Sequence, residues 1–269
     1  MGILNVTQDS FSDGGRYFEN GGLNLDLALR QAQAMVAEGA HIIDVGGEST
    51  RPGATPVSLQ EELDRVIPVV EAIRRELDTL ISVDTSSPQV MAAGVQAGAD
   101  LINDVRALSS PGAVDKAVSL GRPVCLMHMQ GNPSTMQQQP TYQNVVREVC
   151  EYLQTRAQEC VSAGISPDQI VLDPGFGFGK TLDHNLELLR NLKTIADLGY
   201  PILVGLSRKS MLQKLLDRPV DQRLSGSLAL ALLAAQNGAN IIRVHDVAAT
   251  RDILQIWAAF QDNARHSKS

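Results

Sequence analysis

The sequence predicts one (β/α)8 TIM barrel that spans residues 1–269. Eight short apolar segments alternate with helical stretches along the whole chain. The segments are continuously apolar, as expected for strands of a parallel sheet that is buried on both faces. The dipeptide Gly-Ala precedes a predicted strand at Gly39, Gly98 and Gly238, which indicates a repeated helix end before the chain re-enters the barrel. A doubly wound open sheet is the main alternative.

The order of these elements is regular from end to end. The predicted strands are residues 2–7, 41–47, 80–85, 101–105, 123–129, 170–173, 201–206 and 241–245. The helices are expected over about 25–38, 58–77, 88–97, 142–163, 182–198, 208–216, 222–237 and 249–260, with one more from about Pro111. Ser58 and Glu61 form a candidate capping box at the start of the second helix.

Composition excludes several classes of protein. The chain is 43% hydrophobic and 20% charged, which is typical of a globular domain. Its net charge of -7 and the lack of a basic stripe argue against a nucleic-acid partner. No apolar run reaches membrane-spanning length and no leader opens the chain, so we expect no membrane association. Cys125, Cys150 and Cys160 show no metal spacing and predict reduced thiols in a cytoplasmic protein.

Every predicted strand ends in a polar or ionisable residue. In a (β/α)8 barrel the active site lies at the carboxyl ends of the strands, so these residues are the candidates for a site. The strand-end residues are Asn5, Asp44, Asp84, Asn103, His128, Asp173, Ser207, Arg243 and His245. Each residue alone is explained as well by a cap or a loop bond.

The glycine-rich stretch 172–180 carries a carboxylate and two aromatic rings. Asp173 ends a buried strand, where a carboxylate is costly unless it is paired. Phe176 and Phe178 lie among glycines, which favours a flexible lid over a flat substrate. The alternative is an ordinary strand end with both rings packed inward. Residues 7–15 and 46–53 are also rich in glycine and small polar residues, and they are further candidate lids.

Three strand ends are expected to converge on a flat ring. Asp84, Asn103 and Asp173 offer carboxylate and amide groups that can bind an amino group beside a ring N–H, as in a pterin or a guanine. The same residues could instead hold a divalent cation.

Two further stretches are suited to anions. Lys209 and Ser210 open a predicted helix and can bind an anionic group there. Arg243 and His245 lie on the same face of the last strand and are suited to a phosphate or pyrophosphate. The alternative is that Arg243 pairs with a strand-end aspartate.

These motifs together resemble one family. Residues 2–7, 9–15, 44–53, 82–85, 102–104, 172–180, 207–210 and 243–246 follow the motifs and the order of the bacterial dihydropteroate synthase family. The resemblance covers nearly the whole chain. It implies a transferase of folate biosynthesis that joins 6-hydroxymethyl-7,8-dihydropterin pyrophosphate to p-aminobenzoate, uses Mg2+, and releases pyrophosphate in an ionisation-first substitution.

The resemblance also implies roles for individual residues. The pterin-binding residues that it implies are Asp84, Asn103, Asp173, Lys209 and Arg243. Pyrophosphate binding falls to Asn5, Arg243 and His245, with Asn5 also at the Mg2+. The p-aminobenzoate site comprises Thr50, Arg51, Pro52, Phe178, Lys209 and Ser210. Catalytic roles are implied for Asp13, Arg51 and Lys209. Sulfonamides are implied as competitors of p-aminobenzoate, and a homodimer is implied as the assembly.

Two features depart from the family pattern. Gln8 stands where proline is usual, which loosens a turn in the first loop. The residues that normally precede the first strand are absent, and this bears on stability more than on chemistry. Two other functions remain open at this point: a pterin-binding methyltransferase barrel that acts with a corrinoid protein, and a non-catalytic pterin-binding homologue.

Overall fold

The structure, a computed structural model, describes residues 1–7, 18–19, 22–49, 57–131, 136 and 140–266. Six strands form one parallel sheet, in which each strand pairs with the next in the following order. They are β1 (Gly2–Asn5), β4 (Ile42–Gly46), β5 (Leu80–Asp84), β6 (Leu101–Asp104), β7 (Val124–Met127) and β8 (Ile170–Asp173). β2 (Phe18–Glu19) and β3 (Gly22–Leu23) pair as an antiparallel hairpin, and β9 (Leu203–Val204) pairs in parallel with β10 (Ile241–Ile242).

The two edges of the six-stranded sheet are joined through β9 and β10. On one side Leu172 bridges to Ile202, just before β9. On the other side Gly2 bridges to Val244, just after β10, and the Ile3 amide donates to the Val244 carbonyl at 3.0 Å. The sheet therefore closes into the eight-stranded barrel that the sequence predicts, and the open-sheet alternative is wrong.

Helices follow the strands in the expected alternation. They are α1 (Leu25–Ala37), α2 (Leu59–Glu76), α3 (Pro88–Ala97), α4 (Ala113–Leu120), α5 (Val145–Ala163), α6 (Leu182–Arg190), α7 (Leu192–Ala196), α8 (Ser210–Leu216), α9 (Leu224–Gln236) and α10 (Val247–His266). Short 3-10 turns cover Pro167–Gln169 and Val220–Gln222. Among the described helices, none is both long and apolar enough to cross a membrane.

Local signals placed several helix ends correctly. Ser58 and Glu61 make both bonds of the capping box at the start of α2. Gly39, Gly98 and Gly238 all have left-handed backbone conformations, with φ of 99°, 116° and 102°. A residue with a side chain is strained there, so these glycines end α1, α3 and α9 and let the chain turn into the next strand.

Other boundaries differ from the predictions. The single helix expected over 182–198 is interrupted at Asn191, whose side-chain amide donates to the Glu187 carbonyl at 2.8 Å and competes for a helical acceptor. α5 begins at Val145 rather than Tyr142, because the Asn144 side chain accepts the Arg147 amide and caps the helix.

The remaining boundary errors lie at element ends. The helices expected from Pro111, Arg208 and Gln222 each begin two residues later than predicted, whereas α10 begins two residues before Ala249 and extends beyond Phe260. The hairpin of β2 and β3 was not predicted.

The core occupies both sides of the sheet. All four residues of β6 and all four of β7 are buried, as the continuous apolar pattern requires. Cys125 and Cys160 are buried and Cys150 is partly buried, and all three are free thiols, in line with the sequence prediction.

Candidate active site

Arg243 lies at the centre of the barrel mouth, just after β10. Its Nε donates to Asp44 Oδ2 at 2.6 Å, and its Nη2 donates to Asp84 Oδ2 at 2.9 Å. Asp44 is fully buried in β4, and Asp84 ends β5 with a side chain that is 15% exposed. The pairing of Arg243 with strand-end aspartates, considered as an alternative from the sequence, is therefore present. These two ion pairs link the end of β10 to β4 and β5.

Strand register brings the neighbouring residues to the same level. Asn5 pairs with Gly46, Gly46 with Asp84, and Asp84 with Asn103 across β1, β4, β5 and β6. The side-chain Nδ2 of Asn103 donates to both carboxylate oxygens of Asp44, at 3.3 and 3.4 Å. A side chain at Gly46 would come within 3.3 Å of Asp84 Cβ and 3.6 Å of Asn5 Oδ1. Gly46 therefore leaves open the space between these two polar groups.

Burial shifts the ionisation of the groups that surround this space. Burial and the nearby Asp44 raise the pKa of Asp84 to about 8, although Arg243 opposes the shift. Burial also raises the pKa of Asp173, against its bond from the Gly175 amide. Burial lowers the pKa of Lys209 to about 8 despite the attraction of Asp173. A carboxyl group with the pKa of Asp84 can exchange a proton with a ligand near neutral pH.

Asp173 is the last residue of β8 and lies directly before the glycine-rich loop. Its Oδ1 accepts the Gly175 amide at 2.7 Å. Phe176 is fully buried, whereas Phe178 is partly exposed and its ring centroid lies 4.4 Å from Lys209 Nζ. Lys209 Nζ also donates to the Phe176 carbonyl. The sequence left open whether both rings pack inward or serve a substrate site. Phe176 packs inward, whereas Phe178 is partly exposed beside Lys209.

The loop is held at many points. Gly175, Gly177 and Gly179 adopt left-handed conformations with φ of 68°, 81° and 62°. A side chain at Gly175 would lie 1.9 Å from the His128 carbonyl oxygen, so only glycine fits there. The Tyr142 hydroxyl donates to the Gly179 carbonyl at 2.8 Å. These contacts tie the loop to its neighbours, and its role as a lid stays a prediction.

The anion-binding candidates stand beside this loop. Ser207 Oγ lies 3.0 Å from His245 Nδ1 and accepts the His245 amide at 3.2 Å. Lys209 precedes α8, and Ser210 is its exposed first residue. The structure thus brings a hydroxyl, an imidazole and an ammonium to adjacent strand ends.

Arg208 has an unusual backbone between these groups. Its φ is 56°, a strained value for a residue with a side chain. Its Nε donates to Asp246 Oδ2 at 2.9 Å, and its carbonyl accepts Arg223 Nη1 at 3.0 Å. The sequence did not indicate this support, because neither partner lies near Arg208 in the chain.

The described residues contain no group of three or more His, Cys, Asp or Glu side chains with the geometry of a metal site. Asn5 offers a neutral oxygen beside Gly46, next to the carboxylate of Asp84. Such a donor suits Mg2+, which binds few protein oxygens and completes its octahedron with water and phosphate.

Comparison with known proteins identifies the family. The sequence profile of the pterin binding enzyme family matches residues 1–245. The chain belongs to the pterin-binding enzyme family. Within this family, the dihydropteroate synthase of Haemophilus influenzae is 58% identical over 259 residues, covering 96% of this chain and 92% of the relative.

Solved structures of pterin-binding enzymes share the fold. A Yersinia pestis dihydropteroate synthase with a sulfonamide drug has a TM-score of 0.94 and 52% identity, covering 97% of this chain and 94% of that chain. The Xanthomonas albilineans dihydropteroate synthase in complex with 7,8-dihydropteroate has a TM-score of 0.86 and 45% identity, covering 97% and 92%.

Some of the residues expected to act in this pterin-binding enzyme lie outside the described ranges. They are Asp13, Thr50, Arg51 and Pro52, together with Gln8. Among the described residues, Asn5, Asp84, Asn103, Asp173, Phe178, Lys209, Ser210, Arg243 and His245 all lie at the same end of the barrel. The candidate set omitted Asp44, although it was recognised as a strand end, because only the folded barrel brings Arg243 to it.

Proposed function

We propose that the chain catalyses dihydropteroate synthesis, joining 6-hydroxymethyl-7,8-dihydropterin pyrophosphate to p-aminobenzoate with release of pyrophosphate. The observation that carries the proposal is the ring of buried carboxylate, amide and guanidinium groups at the mouth of a barrel whose relatives make dihydropteroate. The relative from Xanthomonas albilineans is described with 7,8-dihydropteroate bound. A corrinoid-dependent methyltransferase is not favoured, because the chain is 58% identical to a dihydropteroate synthase over 259 residues.

The pterin would bind against the buried carboxylates. Asp84 and Asp173 can accept adjacent N–H groups from its ring, and Asn103 can both donate and accept. Arg243 would lie against the ring face, and Lys209 would donate to a ring acceptor. The raised pKa values of Asp84 and Asp173 support this role, because a ligand that supplies N–H donors favours their ionised forms.

The substitution would begin with loss of pyrophosphate. The carbon–oxygen bond at the pterin methylene breaks, its electron pair leaves with pyrophosphate, and the positive charge spreads into the pterin ring. Arg243 and His245 would stabilise the departing negative charge, and Asp173 would favour the cationic ring. The p-aminobenzoate nitrogen then attacks the methylene carbon and loses a proton.

The p-aminobenzoate pocket would form between the β8 loop and the start of α8. Phe178 supplies an aromatic wall, and Lys209 and Ser210 supply donors for the carboxylate. Thr50, Arg51 and Pro52 would complete the pocket, with Asp13, Arg51 and Lys209 in catalytic roles. Sulfonamides would compete at this position, in line with the drug complex of the Yersinia pestis relative.

Mg2+ is the proposed cofactor. Asn5 would contribute one oxygen ligand, and the substrate pyrophosphate and water would supply the others. When bound, the ion supplies positive charge that stabilises the leaving pyrophosphate. The remaining steps rest on the side chains described above.

We further propose a cytoplasmic homodimer of one-domain subunits. Three free cysteines support a reducing compartment. Leu233 on α9 and Ile256 and Phe260 on α10 expose large apolar side chains, the last two at 71% and 69% exposure. These helices are in contact with each other, and such a surface favours association. Sedimentation of the chain, compared with Phe260→Asp, tests this assembly.

The first experiment measures pyrophosphate release from the dihydropterin pyrophosphate with Mg2+, with and without p-aminobenzoate. Release coupled to dihydropteroate formation is the expected result. Release without coupled product would contradict the synthase proposal and locate the defect in the p-aminobenzoate pocket. No release from a folded sample would favour a protein that binds pterin without catalysis.

A further inference from the structure

The loop that follows β8 closes around an ammonium group from its own end. The Lys180 side chain folds back under the loop and the residue is only 3% exposed. Its Nζ donates to the carbonyls of Gly175 and Phe178, each at 2.9 Å. Burying a lysine costs free energy unless its N–H donors are hydrogen-bonded. The loop therefore has to turn these two carbonyls towards Nζ, and this requirement helps to fix its conformation.

The same ammonium reaches a second loop. Lys180 Nζ lies 2.9 Å from His128 Nδ1 and 3.4 Å from the His128 carbonyl oxygen, directly after β7. Burial lowers the pKa of Lys180 well below its usual value, whereas the nearby Asp173 and the two carbonyl acceptors favour its charged form. An ammonium has only donors, so Nδ1 acts as the acceptor and the imidazole proton resides on Nε2. Burial and the charge of Lys180 lower the pKa of His128 to about 3, which agrees with a neutral ring. Lys180 thus joins the loops after β7 and β8.

The loop held by Lys180 also holds Lys209. The Phe176 carbonyl accepts a bond from Lys209 Nζ, and the Phe178 ring faces the same nitrogen. The carbonyls of Gly175 and Phe178, on either side of Phe176 and Gly177, bond Lys180. One short segment is therefore fixed between two ammonium groups, one buried beneath it and one at the mouth. A shift of the segment would move both partners of Lys209.

We propose that Lys180 is a positioning residue: its buried ammonium fixes residues 174–179 so that Phe178 and Lys209 form one side of the p-aminobenzoate pocket. The inference rests on the proposed function, because it names the support of that pocket. Lys180 acts through the loop and does not touch the substrate. Asp173 and Lys209 contact this loop, but three of the five proposed pterin ligands, Asp84, Asn103 and Arg243, lie at other strands. The effect is therefore expected mainly on capture of the amine.

The test removes the ammonium and keeps an unbranched apolar side chain that is one atom shorter. Lys180→Met should raise the KM for p-aminobenzoate by about tenfold or more, because small displacements of positioning groups have large kinetic effects. Calorimetric affinity for the dihydropterin pyrophosphate should change by less than about threefold, since most of its partners are unaltered. Lys193→Met, on the exposed surface of α7, is the matched control and should match the unmodified chain.

The hydrogen exchange rates of backbone amides test how firmly the loop is held, independently of activity. The amides of residues 175–179 should exchange faster in Lys180→Met, and exchange at the unmodified rate would overturn the proposal. A folded Lys180→Met with unchanged KM for p-aminobenzoate would also overturn it. If the unmodified chain forms no dihydropteroate, the proposed function fails, and the exchange comparison alone decides whether Lys180 holds the loop.

A second pair of variants applies if Lys180→Met does not fold. His128→Asn keeps an acceptor near the position of Nδ1, whereas His128→Leu removes it. The KM for p-aminobenzoate should rise about threefold in His128→Leu, consistent with loss of one of several bonds, and stay unchanged in His128→Asn. Equal KM values in the two variants would overturn the proposal.

Discussion

The two ends of the barrel use polar side chains differently. At the centre of the mouth, Arg243 bonds Asp44 and Asp84, and Asn103 bonds Asp44, so side chains pair with side chains. At the opposite end, polar side chains bond the backbone of adjacent strands. Asn240 Oδ1 accepts the Ile202 amide at 2.8 Å, and Asp100 Oδ2 accepts the Ile81 amide at 2.9 Å.

The difference separates stability from function. A side chain paired with another side chain can exchange that partner for a ligand while every strand stays in register. A side chain bonded to a strand amide cannot leave without exposing a buried backbone donor. The groups paired around Arg243 are therefore available for chemistry, whereas Asn240 and Asp100 maintain the sheet.

The largest effect is expected from Arg243→Met. Activity should fall by about 10²–10³ in kcat/KM, because the cation that stabilises the leaving group is lost. The free energy of unfolding should fall by about 3–5 kcal/mol, because Asp44 remains buried without a counter-charge and Asp84 loses its bond from Arg243. Steady-state kinetics and denaturant unfolding measure both.

A double variant divides these two roles of Arg243. Adding Asp44→Asn to Arg243→Met should restore part of the stability without restoring activity, since one uncompensated charge is removed. Unchanged stability in the single variant would show that the mouth does not hold its carboxylates as ion pairs, and the comparison between the two ends would fail.

The next effect tests the wall of the p-aminobenzoate pocket. Phe178→Ala should raise the KM for p-aminobenzoate by about tenfold, because a stacked or packed aromatic contact contributes on the order of 1 kcal/mol or more. Pterin affinity, measured by calorimetry, should stay close to that of the unmodified chain. Equal loss of both affinities would place Phe178 outside a dedicated amine pocket.

A pH profile of stability tests the charge state of the mouth. The pKa of Asp84 is about 8 in the folded chain and 3.8 without perturbation, so the folded state binds the extra proton between these values. The free energy of unfolding should therefore fall as the pH rises from about 4 to about 8, by up to about 1.4 kcal/mol per pH unit, because the unfolded chain has already released this proton. Asp84→Asn should flatten this part of the profile in denaturant unfolding. An identical slope in the variant would contradict the assignment.

The smallest effect on activity is expected at the opposite end. Asp100→Ala leaves the Ile81 amide without its acceptor and removes a half-exposed pair with Arg74. Unfolding free energy should fall by about 1–2 kcal/mol, and kcat should be unchanged. Asp252→Ala, at an exposed position on α10, is the control. A large loss of kcat at normal stability would show that this end also takes part in the reaction.

Much of the fold could be predicted because its signals are local. Continuous apolar runs identified the eight barrel strands, and the three Gly-Ala helix ends proved to have the left-handed backbone that they imply. The hairpin of β2 and β3 was missed because strands of two residues have too little pattern to detect. The break at Asn191 was missed because its cause is a side-chain bond within an otherwise helical pattern.

The sequence predicted which residues lie at the mouth of the barrel. It did not predict which of them contact each other. Barrel topology alone brought Asp84, Asn103 and Arg243 to one end. It did not show which carboxylate Arg243 would contact, because barrel register decides that. Lys180 was not singled out, because lysines are usually exposed and nothing in the sequence shows that its chain folds back beneath the loop.

The salt bridges of Arg243 also affect biosynthesis. Its partners Asp44 and Asp84 precede it by 199 and 159 positions in the chain. A nascent polypeptide that has emerged only as far as α9 carries both carboxylates on adjacent strands without their guanidinium. The first strands gain their counter-charge, and the sheet its closing neighbour, only when the last strand leaves the ribosome. Assembly of the barrel mouth is therefore one of the last events of its synthesis.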